Sequence, residues 1–220
     1  HFKAKFFFLK NIFFQSMPIT IAIFGYSIAA TIVFTYVGLF GEYAVAGYGS
    51  ATRIEQVLLL PVLGINTAII SIIAQNIGAK YYNRVEQSYY TSIKYGFFIM
   101  LIAGVVIFIS ADIVPKLFSS NNDVVIHGSI YLKISAFILP SYPIFFLSNG
   151  FFMALKKSEK AMFNNIIRNV VVPIMSFYIA KSINADFKTF FYIWGLFQWL
   201  ISLVLIIYVR YYIKHKLVNV

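Results

Sequence analysis

Six long apolar stretches, at approximately residues 13–38, 45–78, 89–113, 124–155, 159–181 and 187–212, restrict this chain more than any other feature. Each is long enough to cross about 30 Å of hydrocarbon as a helix, which takes about 20 residues. None alternates with period two, and each exceeds the roughly 9–11 residues of a membrane strand. Lipid cannot satisfy free backbone N–H and C=O groups, so helices are the remaining choice. The expectation is an all-α membrane protein, a six-transmembrane-helix bundle forming a single unit over residues 1–220. Composition agrees, with 60% of residues hydrophobic and 11% charged, against about a quarter charged in soluble domains. The second and fourth stretches must tilt, protrude or bend, and both contain prolines or glycines that permit bending.

The links are short: "FGEYAVAG", "AKYYNRVEQS", "PKLFSSNND", "LKKSEKA" and "KSINADFK". Neighbouring helices are therefore antiparallel, and loop charge can be sorted by side. Lys3, Lys5, Lys10, Lys80, Arg84, Lys156, Lys157, Lys160, Arg210, Lys214 and Lys216 fall on one side; Lys116, Lys181 and Lys188 fall on the other. The excess of cations marks the cytoplasmic face. This predicts a multi-pass membrane protein with both ends of the segment in the cytoplasm. The net charge of +11 then points to anionic lipid head groups rather than nucleic acid. The chain opens on His1 and shows no signal-peptide pattern, so it reads as a piece of something longer. Tyr81, Tyr82, Tyr89, Tyr90, Tyr208, Tyr211 and Tyr212 cluster near the expected boundaries, where amphipathic rings anchor a helix at head-group depth.

The second stretch leaves the membrane through "SIIAQNIGAKYYNRVEQ", residues 71–87. Gly78 is the expected left-handed cap. Gln75 and Asn76 are expected to bond to neighbouring helices, and Lys80 and Arg84 to suit the helix dipole and the lipid surface.

Ionisable groups inside a bilayer are costly and are functional candidates by default. Glu55 is the one acid well inside a stretch, six residues before Pro61, or about 9 Å along the helix. Its candidate charge partners are Arg53, Lys133 and Arg168. Two readings stand. Glu55 exchanges an ion, with burial disfavouring its charge and nearby cations favouring it; or it forms a fixed ion pair with Lys133 or Arg168 that locks helices together. In the fourth stretch, "AFILPSYPIFFLSNG", Pro140 and Pro143 remove two backbone donors and free carbonyls near mid-membrane. Such a break either lines a substrate path or is a kink satisfied by Ser141 or Asn149. Pro18, Pro61 and Pro173 carry the same ambiguity. Tyr26, Asn66, Pro140, Tyr142 and Asn149, with Gln198, are candidates for a cavity wall or for bonds between helices. The 24 Phe and 16 Tyr suit an aromatic cavity that holds flat cations.

No Cys is present, which removes disulfides, thiol catalysis and thiolate metal sites. His1, His127 and His215 lack metal-ligand spacing, and no Ser-His-Asp set, phosphate loop or paired catalytic carboxylates occur. An enzyme, a metal site and a cofactor are not expected.

The run from Ala46, "AGYGSATRIEQVLLLPVLGINTAIISIIAQNIGAKYYNRV", resembles the eighth-helix region of MATE (multidrug and toxic compound extrusion) transporters. The matching residues are Tyr48, Gly49, Arg53, Glu55, Pro61, Gly64, Gln75, Asn76, Gly78, Ala79 and Arg84. "FFMALKKSEKAMFNNIIRNVVVPI" is similar to the end of the family's helix ten and the start of helix eleven. The resemblance implies one lobe of a twelve-helix fold, the C-terminal helices seven to twelve, whose partner is an N-terminal six-helix lobe of the same longer protein. It further implies export of a drug-like, often cationic, small molecule in exchange for protons or sodium ions. Where the sodium-linked branch carries acids in helices seven and ten, the matching positions here hold Tyr26 and Phe145, so that sodium site is not expected in this lobe. A lipid-linked oligosaccharide flippase of the same superfamily and a non-transporting remnant or scaffold are the alternatives.

Overall fold

The computed structural model describes residues 6–216. Expectations placed on His1, Lys3 and Lys5, and on the side chains of Lys10, Pro18 and Lys216, lie outside the described residues. The described chain is helical almost throughout. Helices α1 (Phe6–Gly38), α2 (Glu42–Gly78) and α3 (Tyr82–Ser110) correspond to the first three stretches. A single 3₁₀ turn, Val114–Leu117, leads to the fourth stretch, which is two helices, α4 (Asn122–Ile138) and α5 (Ser141–Ala154). The fifth is also interrupted. Helix α6 (Ser158–Ile166) passes through a π-helical turn, Ile167–Val171, into α7 (Val172–Ser182). The sixth is α8 (Phe187–Lys216).

Helices α2, α3 and α8 are each long and apolar enough to cross a membrane, and α4 with α5 would make a fourth crossing bent by 54°. Length is tolerated in α2 despite Pro61. A proline inside a helix removes one donor and, in a long bundled helix, need not end it.

The α4–α5 pair is the centre of the bundle. Helix α2 packs along both halves, α3 lies beside both, and α8 covers the remaining side; α1 rests on α6, α7 and the start of α2. Every residue of α5 is buried except Phe146 and Met153, which are half-buried. A helix apolar all round belongs in the interior of a bundle. Close approach is set by small residues. A Cβ on Gly47 of α2 would lie 2.6 Å from the Val124 carbonyl oxygen of α4, so the two backbones touch where they cross.

Helix exits differ from expectation. Gly78 is the last helical residue of α2, and Lys80 takes the left-handed conformation, at φ 60°. Tyr81 N–H donates to the Asn76 carbonyl (2.8 Å) and Lys80 N–H to that of Ile77 (3.0 Å), the paired bonds of a Schellman exit. The same pattern recurs after α5 at Lys156 (φ 57°) and after α7 at Asn184 (φ 48°). Nor do the two amides reach neighbouring helices: Asn76 Nδ2 donates to Ile72 O in its own helix (2.8 Å), and Gln75 is exposed. Two of the tyrosines expected as surface anchors, Tyr89 and Tyr212, are buried. Tyr89 OH shares a hydrogen bond of 2.8 Å with Ser148 Oγ of α5.

Candidate functional site

Glu55 projects from α2 into the angle between α4 and α5 and is buried, at 6% exposure. Its two carboxylate oxygens are shared between the two halves of the broken span. Tyr131 OH of α4 donates to Oε2, and Tyr142 OH of α5 donates to Oε1. The acid therefore ties three helices together at the bend. Tyr131 is held in turn by edge-on rings, Tyr48 of α2 and Phe191 of α8, each with its centroid 4.8 Å away.

Tyr142 faces a second buried group. The guanidinium carbon of Arg168 lies 4.6 Å from the Tyr142 ring centroid, 4.1 Å from that of Phe145 and 5.6 Å from that of Phe146. Arg168 Nε donates to Gln198 Oε1 of α8. Arg168 sits in the π-helical turn, where one extra residue widens the coil and redirects side chains. Glu55 and Arg168 thus meet through Tyr142, by its hydroxyl and by its ring face, rather than as an ion pair.

The cation partners inferred from sequence part company here. Among the described residues the ion pair is Lys133 Nζ with Asp112, 2.8 Å to both carboxylate oxygens, at the end of α3. Lys133 is two residues from Tyr131, about 200° further around α4, so only one of them can face Glu55. Arg53 is separated from Glu55 by the same angle on α2 and is exposed. Of the three cations, only Arg168 reaches the Glu55 neighbourhood. Asp112, in the turn outside the membrane-spanning segments, is held below the usual carboxylate range by the Lys133 ammonium and the Ser129 hydroxyl that bond to it.

The break is satisfied in part locally, Tyr142 N–H donating to the Leu139 carbonyl (3.1 Å), and in part by elements distant in sequence. Trp199 Nε1 of α8 donates to the Phe137 carbonyl (2.9 Å). Gly104 of α3 lies against the Ala136 carbonyl, so close that a Cβ would be 2.5 Å from its oxygen. Ser202 Oγ bonds to the Ser141 carbonyl (3.1 Å). The side chains of Ser141 and Asn149 take no part in satisfying the bend. Ser141 Oγ has no partner, and Asn149 Oδ1 accepts from Asn164 Nδ2 (3.0 Å). Pro140 is buried at the bend, Asn66 is half-buried beside Gly150, and Tyr26 is 58% exposed on α1. The structure brings Glu55, Tyr142, Arg168 and Gln198 together with Pro140 beside them. Asn149 and Asn66 lie further along α5 and α2, and Tyr26 lies on the open face of α1. Tyr131 is the member that sequence reasoning missed, and Tyr48, noted only for the family resemblance, packs on it. The signal for Tyr131 was present in the run "YLK": of two side chains two positions apart, a tyrosine is the easier one to bury.

Known proteins share this arrangement of helices. Residues 18–179 match the family model MatE. The probable multidrug resistance protein YpnP of Bacillus subtilis (strain 168) is 27% identical over 63% of this chain and 30% of its own length. The multidrug export protein MepA of Staphylococcus haemolyticus (strain JCSC1435) is 22% identical over 76% of this chain and 37% of its own. A solved outward-facing multidrug resistance MATE transporter of the MOP superfamily superposes with a TM-score of 0.91 at 22% identity, covering 100% of this chain and 49% of that one. The chain spans about half the length of the solved relative it matches.

Proposed function

The chain belongs to the MatE family, and on that footing we propose that it is the C-terminal six-helix lobe of a secondary exporter of drug-like, often cationic, small molecules. The opposite wall of the central cavity is an N-terminal six-helix lobe, and the whole lies in a cytoplasmic membrane with the basic links inside. Protons drive the exchange in this reading, and Glu55 is the group in this lobe that takes and releases them.

One observation carries the assignment: a buried acid accepts hydrogen bonds from both halves of a broken span and has no cation bonded to it. As a carboxylate, Glu55 accepts from Tyr131 and Tyr142 together. Protonation turns one oxygen into a hydroxyl that donates and accepts only weakly, and it removes the charge that strengthened both bonds, so the tyrosine on that oxygen is held less firmly. The tie across the bend then loosens, and α4 is free to change its angle to α5. Loading a proton is in this way converted into a change in the wall of the bundle, the two-state element that exchange of substrate for ion requires. Sodium is less well served here. At the positions where the sodium-linked branch of the family carries acids, this chain holds Tyr26 and Phe145. A flippase for lipid-linked sugars needs a cluster of cations open to a phosphate, whereas Arg168 is covered by three rings and Lys133 is engaged by Asp112, which leaves Arg53 as the open one of the three.

The test is transport by the full-length protein in proteoliposomes under an imposed pH gradient, with and without sodium. Glu55→Gln keeps the shape and one acceptor but carries no proton. The variant should purify folded and show no acceleration by the pH gradient. Unchanged gradient-driven transport in a folded Glu55→Gln protein rejects the assignment.

A further inference from the structure

A groove of about 380 Å³ opens between α3 and the basic end of α8, away from the Glu55 site. It is lined by Glu86 and Tyr90 of α3 and by Ile206, Ile207, Arg210 and Lys214 of α8. Residues four apart stack on one helix face about 6 Å apart along the axis. Along α8 the lining therefore changes from isoleucine to arginine to lysine within two turns. Along antiparallel α3 it changes from a tyrosine ring to a carboxylate. Both walls pass from apolar to charged in the same direction, as a phospholipid does from its acyl chains to its head group. Arg210 and Lys214 are exposed, and among the described residues neither is bonded to a carboxylate or another acceptor.

The geometry points to a lipid site in this groove for a phospholipid with a primary-amine head group of the ethanolamine class. Its phosphodiester lies between Arg210 and Lys214, its ammonium on Glu86, and its upper acyl carbons on Ile206 and Ile207. Glu86 decides the head group. A phosphate bound alone would face that carboxylate, like charge on like. A primary ammonium brings three N–H donors to the carboxylate, while the trimethylated ammonium of choline brings none. The lipid, rather than a second protein, is favoured because the rim continues into exposed apolar side chains of α8, Leu203, Ile207 and Tyr211. This lipid site is independent of which ion drives transport.

The experiment is native mass spectrometry of the full-length protein taken from nanodiscs containing equal parts of palmitoyl-oleoyl phosphatidylethanolamine, phosphatidylcholine and phosphatidylglycerol. The unaltered protein should retain the ethanolamine lipid ahead of the other two. The double variant Arg210→Gln/Lys214→Gln should lose retained lipid by about 30-fold, the effect of removing two interfacial cations. Glu86→Gln should keep the total but erase the preference for ethanolamine over choline. Retained lipid in bulk proportions, phosphatidylglycerol ahead of phosphatidylethanolamine, or an undiminished ethanolamine preference in Glu86→Gln would each overturn the proposal. A site elsewhere on the bundle would leave the double variant unchanged and would count against it equally.

Discussion

Two residues of helix separate Lys133 from Tyr131, and that spacing decides what Glu55 touches. Position along each span can be counted in the sequence, which sets Lys133 level with Glu55, outward of the middle, and Arg168 slightly inward of it. Direction around the helix cannot, because it depends on which face of α4 turns toward α2. Once Tyr131 faces inward, Lys133 faces the rim and takes Asp112 instead. That pair has a testable acid dependence. The folded state holds the Asp112 carboxyl below its ordinary range, chiefly through the Lys133 hydrogen bond. Its contribution is therefore complete above the ordinary carboxylate value and disappears as pH falls through the lowered one. Both side chains are well exposed, 41% for Lys133 and 65% for Asp112, so the effect is small and shrinks in salt. Asp112→Asn should lower the thermal midpoint slightly at neutral pH, and the difference from the unaltered protein should close in that acid window. Melting curves at several pH values and two salt concentrations measure this; an equal difference at every pH would mean that the pair does not stabilise the fold.

Among the elements, the broken span is the one most fully foreseen and least fully explained by sequence. Pro140 and Pro143 announce the bend because each lacks a donor, and the 54° angle between α4 and α5 is the outcome. The groups that make the bend tolerable come from α3 and α8, about 30 and 60 residues away along the chain. No local pattern signals that Trp199 faces the Phe137 carbonyl. The π-helical turn that carries Arg168 is similarly silent, since its sequence, "IRNVV", reads as ordinary helix. Trp199→Phe preserves most of the ring volume but leaves the Phe137 carbonyl without its donor. It should destabilise the protein by about 1–2 kcal/mol, read as a lower thermal midpoint in detergent, with pH-driven transport still measurable. A midpoint equal to that of the unaltered protein would show that the carbonyl finds another donor and that α8 does not brace the bend.

For the molecule as a whole, charge sorting across the links gives the proposed topology, with the basic links in the cytoplasm. These 220 residues lack Cys, so, with any Cys elsewhere in the full-length protein replaced by Ser, Lys80→Cys and Lys157→Cys each introduce one thiol. In intact cells both should resist a membrane-impermeant maleimide and react after permeabilisation; labelling from outside would invert the topology. The left-handed residues after α2 and α5 bear on the same question. Glycine adopts that conformation without strain, while an L-residue with a side chain costs about 1 kcal/mol there. At Lys80 and Lys156 two demands meet on one position: backbone shape asks for glycine, and the insertion machinery that reads positive charge asks for lysine. These turns hold lysine, so in the proposed topology the chain at these two points is written for its route into the bilayer ahead of its rest state once there.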